Sequence, residues 1–302
     1  LVFVSLYRLN VSKRIAEKTI KFIPFIRLYS YIVFAFGIVS LFLNIGMSQE
    51  EVRGTIHPYM FLYSHPTYLT TGLICLLCIM NAADEAGIKE DIVFLGSVAL
   101  AMRTKGLAFI AVYVFLKYGA GWVRKLQFLY WPVIAIIVFF VTRSKLQMYA
   151  SFSNSPRESL YVGAIKLLKD CFPIGSGFAS FASHISGRYL SSVYSFIHIA
   201  GLYDINGEIS VDIGDAGLPY YLGQLGFLGT LFIALLIAKM IKMSLQELNG
   251  NAKIPMIFLW ALVVISIPSE AILVNNGFEI AFVMVIVHRL LIKNGLNYKR
   301  IE

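Results

Sequence analysis

Apolar runs separated by short polar linkers fill most of the chain. Six of them predict single helices, over residues 28–46, 66–81, 127–142, 218–240, 255–274 and 278–292. A seventh run, 92–118, is interrupted only by Arg103-Thr104-Lys105. At about 27 residues it is long for one membrane helix, which needs about 20, and short for two. We therefore predict a hairpin of two short or re-entrant helices with Arg103 at its tip.

The composition places these helices in a membrane. Of the 302 residues, 58% are hydrophobic and only 14% are charged, and the mean hydropathy is +0.73. That is more apolar side chain than the core of a soluble protein of this size can bury. We predict an all-α fold, a polytopic transmembrane helix bundle of about eight spans. Because the sequence begins at Leu1 and not at a methionine, we also expect further N-terminal spans ahead of it.

The charged residues predict the orientation of the bundle. The formal net charge is +9, but the basic residues form short clusters between apolar runs, so a nucleic-acid partner is not indicated. Cytoplasmic linkers are enriched in lysine and arginine, which places the basic N-terminal segment and the C-terminus in the cytoplasm and Arg103 on the outer side. The linker 82–91 does not fit, because Lys89 is outnumbered by acidic residues, namely Asp84, Glu85, Glu90 and Asp91.

The three cysteines indicate neither a disulfide framework nor a metal site. Cys75 and Cys78 form a CxxC pair inside an apolar run, and Cys171 stands alone. A zinc or redox site needs polar access and further ligands. We therefore interpret the pair as packing within a membrane helix and predict neither a metal nor a cofactor.

One long polar segment divides the chain into three parts: transmembrane helices over 1–142, a large external loop over 143–216, and C-terminal transmembrane helices over 217–302. Inside the loop, Ser155-Pro156-Arg157-Glu158 has the residues of a helix N-terminus, with serine as N-cap, proline at the first helical position and glutamate to close a capping box. Leucines and alanines follow at helical spacing. They predict an amphipathic helix that lies across the outer membrane face and ends before Phe172-Pro173.

Several residues in and after the loop admit both a structural and a functional interpretation. Gly175-Ser176-Gly177 is either a plain turn or a pair of glycines that lets backbone amides approach an anion. Asp215, just before the next apolar run, is either a helix cap stabilised by the helix dipole or a general base at the membrane boundary. In that run, small residues recur every third position, which favours close helix packing; they are Gly223, Gly226 and Gly229.

Arginine in apolar surroundings is the most informative indication of a site. Exposing Arg103 to lipid costs a few kcal/mol, so it should face a cavity, a partner or an anionic ligand, and Glu270 and Glu279 are its candidate partners. The planar arginine fork binds phosphate with two hydrogen bonds. Further arginines are predicted on the same outer side: Arg53, Arg143, Arg157 and Arg188. Several of them converging on one cavity would bind a diphosphate, whereas each alone can equally be a solvated surface charge.

Short motifs along most of the chain carry a family resemblance. They are Ser64-His65-Pro66-Thr67-Tyr68, Arg103-Thr104-Lys105, Arg157-Glu158-Ser159-Leu160-Tyr161, Phe172-Pro173-Ile174-Gly175-Ser176-Gly177-Phe178 with Phe181, and the segment from Asp215 to Gly229. Their order resembles the O-antigen polymerase (Wzy) and O-antigen ligase (WaaL) superfamily of bacterial polysaccharide assembly. Ligase-like members carry a His-Asn pair about where this chain has Asp215-Ala216, and an acidic residue where it has Gln224. The likeness is therefore closer to the polymerases.

The resemblance implies a glycosyltransferase that joins oligosaccharide repeat units by inverting, metal-independent transfer, in O-antigen, capsule or exopolysaccharide synthesis. The donor is a glycan on undecaprenyl diphosphate, and the acceptor is a hydroxyl of a second lipid-linked unit. The reaction takes place on the outer face of the bacterial cytoplasmic membrane, with the large loop in the periplasm or outside the cell. Membrane lipid, a chain-length regulator and a flippase are the implied partners. Because the ligase histidine is absent at its position, Asp215 is the first candidate for the catalytic base, and His184 and His198 are second candidates.

Three alternatives remain: an O-antigen ligase, a polysaccharide flippase or other carrier, and a non-catalytic membrane partner. Polar residues gathered on one side of the membrane, without an internal repeat, favour an enzyme over a transporter. The predicted active site is a cavity between the loop and the outer ends of the membrane helices, where Arg103 and Glu270 lie. Gly175 and Gly177 are among its predicted substrate-binding residues.

Overall fold

The structure is a computed structural model that describes residues 11–52, 56–119, 156–189, 191–197, 217–248, 250–268 and 270–298, together with Pro132 and Ile136. In these ranges the fold is all-α. The helices are α1 (Val11–Phe42), α2 (Pro66–Ala82), α3 (Ile88–Leu100), α4 (Thr104–Tyr118), α5 (Pro156–Asp170), α6 (His184–Arg188), α7 (Ser192–Ile197), α8 (Gly217–Gln246), α9 (Ile254–Ser266), α10 (Ile272–Asn275) and α11 (Gly277–Tyr298), with a 3-10 helix at Gly250–Lys253. Strand-like pairing among the described residues is limited to one isolated bridge between Ser48 and Tyr59.

Two helical segments, Lys18–Phe42 and Gly217–Gln246, are long and apolar enough to cross a membrane, judged by length and composition alone. The described residues therefore give an all-α fold with two membrane-length helices. The predicted span 127–142 lies outside the described residues, apart from Pro132 and Ile136.

The hairpin prediction for the run 92–118 is confirmed in its helical structure. α3 ends at Leu100 and α4 begins at Thr104, so the polar interruption separates two short helices. Arg103 is the extended N-cap residue of α4. The predicted helix over 66–81 is also confirmed, because α2 begins at Pro66 with His65 as its N-cap.

The two largest differences from the predicted helix boundaries are at the start of α1 and at the end of α9. α1 begins at Val11 and not near residue 28, because lysine and arginine are good helix formers and the basic segment simply extends the apolar helix. The span predicted over 255–274 ends early, since α9 stops at Ser266. Two residues later comes Pro268, which cannot donate a backbone hydrogen bond to continue the helix.

The described chain divides into two compact units. The described parts of Leu1–Ile137, Met243–Leu262 and Gly277–Glu302 form unit one, and those of Val138–Lys242 and Val263–Asn276 form unit two. In unit one, α1 packs on α3 and α11, and α2 packs on the same two helices. Its core includes Tyr113 of α4, whose ring stacks on Phe258 of α9 with centroids 4.4 Å apart.

Ion pairs in unit one account for the acidic linker 82–91. Arg27 of α1 binds Glu85 at 2.8 Å and Glu90 at 3.1 Å. Lys117 of α4 binds Asp91 at 2.7 Å. The acidic side chains that outnumber Lys89 are thus largely paired with basic residues of the neighbouring helices, which explains locally why the linker departs from the basic pattern.

Unit two is built around the apolar face of α5. The predicted amphipathic helix is confirmed over Pro156–Asp170, although its predicted cap, Ser155, lies outside the described residues. The exposed fractions of Leu160, Ala164 and Leu167 are at most 1%, because these side chains pack in a cluster with Phe181 and Tyr194. The apolar stripe is therefore covered by protein, and the position of the helix across the outer membrane face stays a prediction.

Candidate functional site

Several predicted site residues fall outside the described structure. Arg53, Arg143, His198 and Asp215 lie outside the described ranges, and of Arg157 only the backbone is described, at the start of α5. Their assignments remain predictions.

Arg103 is held by two side chains from the segment before α2. Its Nη2 donates to Gln49 Oε1 at 2.6 Å and lies 2.9 Å from His65 Nε2. The guanidinium is partly buried. Arg103 therefore has a defined orientation at the tip of the α3–α4 hairpin and is not a freely solvated charge.

The segment 47–65 is folded so that Gln49 and His65 can reach Arg103. Gln49 donates its backbone N–H to Pro58 O at 2.9 Å. Tyr59 anchors the segment to two helices, since its N–H donates to Leu100 O at 3.0 Å and its hydroxyl to Val33 O at 2.8 Å. Burial raises the pKa of the Tyr59 hydroxyl, so the hydroxyl stays protonated and keeps this hydrogen bond.

His65 has two roles that compete for its ring. Its Nδ1 accepts from the backbone N–H of Thr67 at 3.3 Å, which caps α2, while its Nε2 faces the Arg103 donor. A neutral imidazole has only one acceptor nitrogen. The ring therefore cannot make both hydrogen bonds at full strength. The contact with Arg103 is the shorter of the two and is the better candidate for the stronger hydrogen bond.

Lys105 adds a second cation two residues after Arg103. It is 6% exposed, and its Nζ donates to Thr71 Oγ1 of α2 at 2.9 Å. A buried ammonium is costly unless it is bonded. Arg103 and Lys105, two residues apart in the sequence, make a cationic centre at the tip of the hairpin, and side chains of these two types bind phosphate groups.

A second functional candidate, in unit two, is the segment around Gly175-Ser176-Gly177, which docks into a break in α8. Gly226 interrupts that helix with φ 63° and ψ −162°, a conformation that only glycine adopts readily. Ser176 N–H donates to Gly223 O at 2.9 Å, and Gly177 N–H donates to Gln224 O at 3.0 Å. On the other side of the break, Leu228 N–H donates to Pro173 O at 3.1 Å. The loop therefore satisfies backbone groups that the helix loses at Gly226.

Gln224 holds the same loop through its side chain. It is 1% exposed. Its Oε1 accepts from Ala179 N–H at 2.7 Å, and its Nε2 donates to Phe181 O. Both halves of the amide are used, which a carboxylate could not do. This is a structural reason for glutamine at this position.

The small residues of α8 pack against this loop. A Cβ at Gly223 would lie 2.3 Å from the Phe181 ring, and one at Gly226 would lie 2.5 Å from Pro173 O. The spacing of these glycines predicted close packing of helices. At Gly223 and Gly226 the close contact is instead between a helix and a loop. In this arrangement the amides of Gly175 and Gly177 donate to protein carbonyls, as the turn interpretation expects; their substrate-binding role stays a prediction.

The structure describes four more predicted residues, namely His184, Arg188, Glu270 and Glu279. His184 and Arg188 are exposed on α6, and the Arg188 guanidinium lies 5.9 Å from the Tyr189 ring centre. Glu270 belongs to unit two, whereas Arg103 belongs to unit one, so their pairing stays a prediction. Glu279 is exposed at the start of α11. Among the described residues, no group of three or more histidine, cysteine or acidic side chains could hold a metal ion.

Sequence reasoning missed a buried polar network in unit one. Asp91 is 2% exposed and accepts from Tyr113 at 2.6 Å and from Tyr118. Lys117 bonds Asp91, Tyr113 and the Asn81 Oδ1, the last at 2.9 Å. These groups tie together α2, α3 and α4. The available signal was that Asn81, Asp91 and Lys117 all stand at ends of apolar runs.

Comparison with known protein families, with curated protein sequences and with solved structures finds no match to this chain. The resemblance to the polysaccharide polymerases and ligases therefore rests on the sequence motifs.

Proposed function

We propose that the protein is a membrane-embedded polymerase of lipid-linked oligosaccharides. The observation that supports this most is the cationic centre in unit one, where Gln49 and His65 orient Arg103 and Thr71 binds the buried Lys105, two residues later in the chain. Ionisable residues within apolar segments are costly and usually functional. Two cations held in place at the end of a helical hairpin suit a ligand with several phosphate oxygens.

The reaction that fits such a centre is displacement of a diphosphate. The acceptor hydroxyl oxygen attacks the anomeric carbon of the donor glycan from the face opposite the leaving group. The bond from that carbon to the diphosphate oxygen breaks, and the electron pair stays on the diphosphate, which keeps its undecaprenyl chain. Arg103 and Lys105 stabilise the charge that develops there. The hydroxyl proton passes to a base, for which Asp215, His184 and His198 remain the candidates.

The proposed setting is the cytoplasmic membrane, with about eight spans, both ends of the sequence in the cytoplasm and the loop 143–216 on the outer face. The two membrane-length segments support this. Only 17% of the apolar window in Lys18–Phe42 and 11% of that in Gly217–Gln246 is buried inside the protein. The core helix of a soluble protein would be mostly covered, so the exposed apolar surface favours lipid.

A carrier of lipid-linked sugars is the second candidate, and the break of α8 at Gly226 favours it. Discontinuous membrane helices are common at the binding sites of transporters. In this protein, however, the broken backbone is filled by the loop that contains Gly175, whose own amide donates to Cys171 O. The break therefore has a structural explanation without a transported ligand.

One reconstitution separates these functions. The protein is placed in lipid vesicles with an undecaprenyl-diphosphate-linked repeat unit, and the products are resolved by gel electrophoresis and mass spectrometry. A polymerase yields lipid-linked chains of several repeats, and EDTA does not slow it. Movement of the unlengthened unit across the bilayer would identify a carrier, and transfer only to added lipopolysaccharide core would identify a ligase; either result would contradict the proposal.

A further inference from the structure

The loop that docks into α8 exposes its apolar side chains. The exposed fraction is 66% for Phe172, 70% for Ile174 and 82% for Phe178. Such side chains next to one another are unusual on a water-facing surface and indicate an interaction with an apolar partner. The backbone N–H groups of Ser176 and Gly177 are directed to α8 instead.

This apolar surface continues onto the membrane-length helix. The Phe172 and Phe227 ring centroids are 6.2 Å apart. Beyond Phe227, the second half of α8 exposes Phe232 to 67% and Leu235 to 60%. Through Phe172 the loop therefore adjoins the exposed surface of α8, and whatever covers that surface also covers Phe172.

The depth of the break places the loop inside a bilayer that α8 crosses. Lys239 marks the polar end of the apolar part of α8, and Gly226 precedes it by about 20 Å along the helix. The hydrocarbon core is about 30 Å thick. Gly226, and with it the docked loop, would then lie roughly 10 Å below the opposite boundary of that core.

Several backbone groups of the loop are satisfied within the protein, as such a position requires. Non-helical backbone is tolerated at membrane depth only where its polar groups are satisfied within the protein. The N–H groups of Gly175, Ser176 and Gly177 all donate to backbone carbonyls, and Pro173 O accepts from Leu228. Ser176 Oγ also donates to Gly223 O at 2.9 Å.

We propose that residues 172–178 form a re-entrant loop inside the bilayer, with Phe172, Ile174 and Phe178 in contact with lipid acyl chains. This inference rests on the proposed membrane setting of α8. It places this part of the predicted external loop in the bilayer and not in water. The occupant is bilayer lipid, because the surface is continuous with the side of α8 that a membrane would cover.

The test measures the depth of single fluorophores in lipid vesicles. Cysteines at Phe178, Phe232 and Ser195 are introduced one at a time, with Cys171→Ser, and labelled with an environment-sensitive dye; Cys75 and Cys78 are buried. Ser195 is the aqueous control, since it is exposed on α7. We expect Phe178→Cys and Phe232→Cys to be quenched several-fold more by doxyl-labelled lipid than Ser195→Cys, and several-fold less by iodide. Ile174→Cys provides a second reporter if Phe178→Cys does not fold.

The outcomes separate this inference from the membrane proposal. If position 232 is quenched by lipid but positions 178 and 174 behave like 195, the loop is aqueous and the inference is wrong, while α8 remains a membrane helix. If position 232 is also open to iodide, both the inference and the membrane setting fail. Polysaccharide synthesis is measured separately, so its failure alone would overturn only the proposed activity.

Discussion

Gly175 and Gly226 meet backbone to backbone, so closely that a Cβ on either would lie 2.4 Å from the amide nitrogen of the other. Both have positive φ, 76° and 63°. The loop and the broken helix thus depend on two glycines that are far apart in the sequence. No other residue type fits either position without moving the two segments apart.

We predict that Gly226→Ala destabilises the protein by about 2 kcal/mol, because it adds both backbone strain and this clash. Gly72→Ala is the matched control: its Cβ would make only an ordinary contact, 3.4 Å from the Tyr63 hydroxyl, and alanine favours the helix. Thermal unfolding of the purified variants in detergent measures the difference. Equal unfolding temperatures for the two variants would contradict the docked-loop description.

Gln224→Glu should destabilise the same region in a pH-dependent way. The buried carboxylate loses the hydrogen bond to Phe181 O and faces that carbonyl instead, at a cost of about 2 kcal/mol. Burial raises the pKa of a carboxyl group, and the protonated acid can donate again. The stability deficit should therefore shrink as the pH falls.

The measurement is the unfolding temperature of Gln224→Glu relative to the original protein between neutral and mildly acidic pH. Gln224→Met is the control, because it has no titrating group and its deficit should not depend on pH. A deficit of Gln224→Glu that is constant or grows at low pH would refute the assignment of the two amide hydrogen bonds.

The sequence predicts the parts of this structure that depend on local pattern. The lengths of the apolar runs and the polar interruption at Arg103 give α2, α3 and α4, and Pro156 marks the start of α5. The break at Gly226 could not be predicted, because the residues around it are compatible with a helix and the break is stabilised by a loop about 50 residues earlier. Such a contact is a product of tertiary packing, which local propensity does not encode.

The candidate site shows the same limit. Arg103 was identified from its apolar surroundings alone, but its contact with Gln49 depends on how the segment 47–65 folds back. The buried pair Asp91–Lys117 was missed because each residue reads as part of a separate polar linker. A single sequence does not indicate which residues, distant in the chain, will contact each other in the fold.

Breaking the Asp91–Lys117 ion pair should lower the free energy of unfolding substantially. The two side chains are 3% and 22% exposed, and removing one partner of a buried ion pair costs about 3 kcal/mol. We expect this loss for Asp91→Asn and for Lys117→Met, and a smaller loss for the double variant than the sum of the two. Glu85→Gln is the control: its pair with Arg27 is half exposed, so it should cost at most about 1 kcal/mol. Additive losses measured by unfolding would show that the two groups do not interact.

Substitutions of His65 can separate its two roles, which are capping α2 and contacting Arg103. His65→Asn keeps an N-cap for α2, since asparagine is a favoured cap, but its shorter side chain cannot reach Arg103. We expect it to reduce chain lengthening while leaving the unfolding temperature nearly unchanged. His65→Ala loses both contacts and should also cost about 1 kcal/mol of stability. If His65→Asn lengthened chains at the original rate, the contact would not matter for Arg103.

The most direct test of the account is the rate of chain lengthening by Arg103 variants in the reconstituted reaction. Arg103→Ala should lower the rate by about 100-fold, as expected when a charge-stabilising donor is removed, and Arg103→Lys should retain part of it because the charge remains. Lys89→Ala, which removes an exposed cation from the same hairpin, should act at the original rate, and all three should unfold near the original temperature. If folded Arg103→Ala made chains at the original rate, the proposal that this cationic centre binds the diphosphate would be wrong.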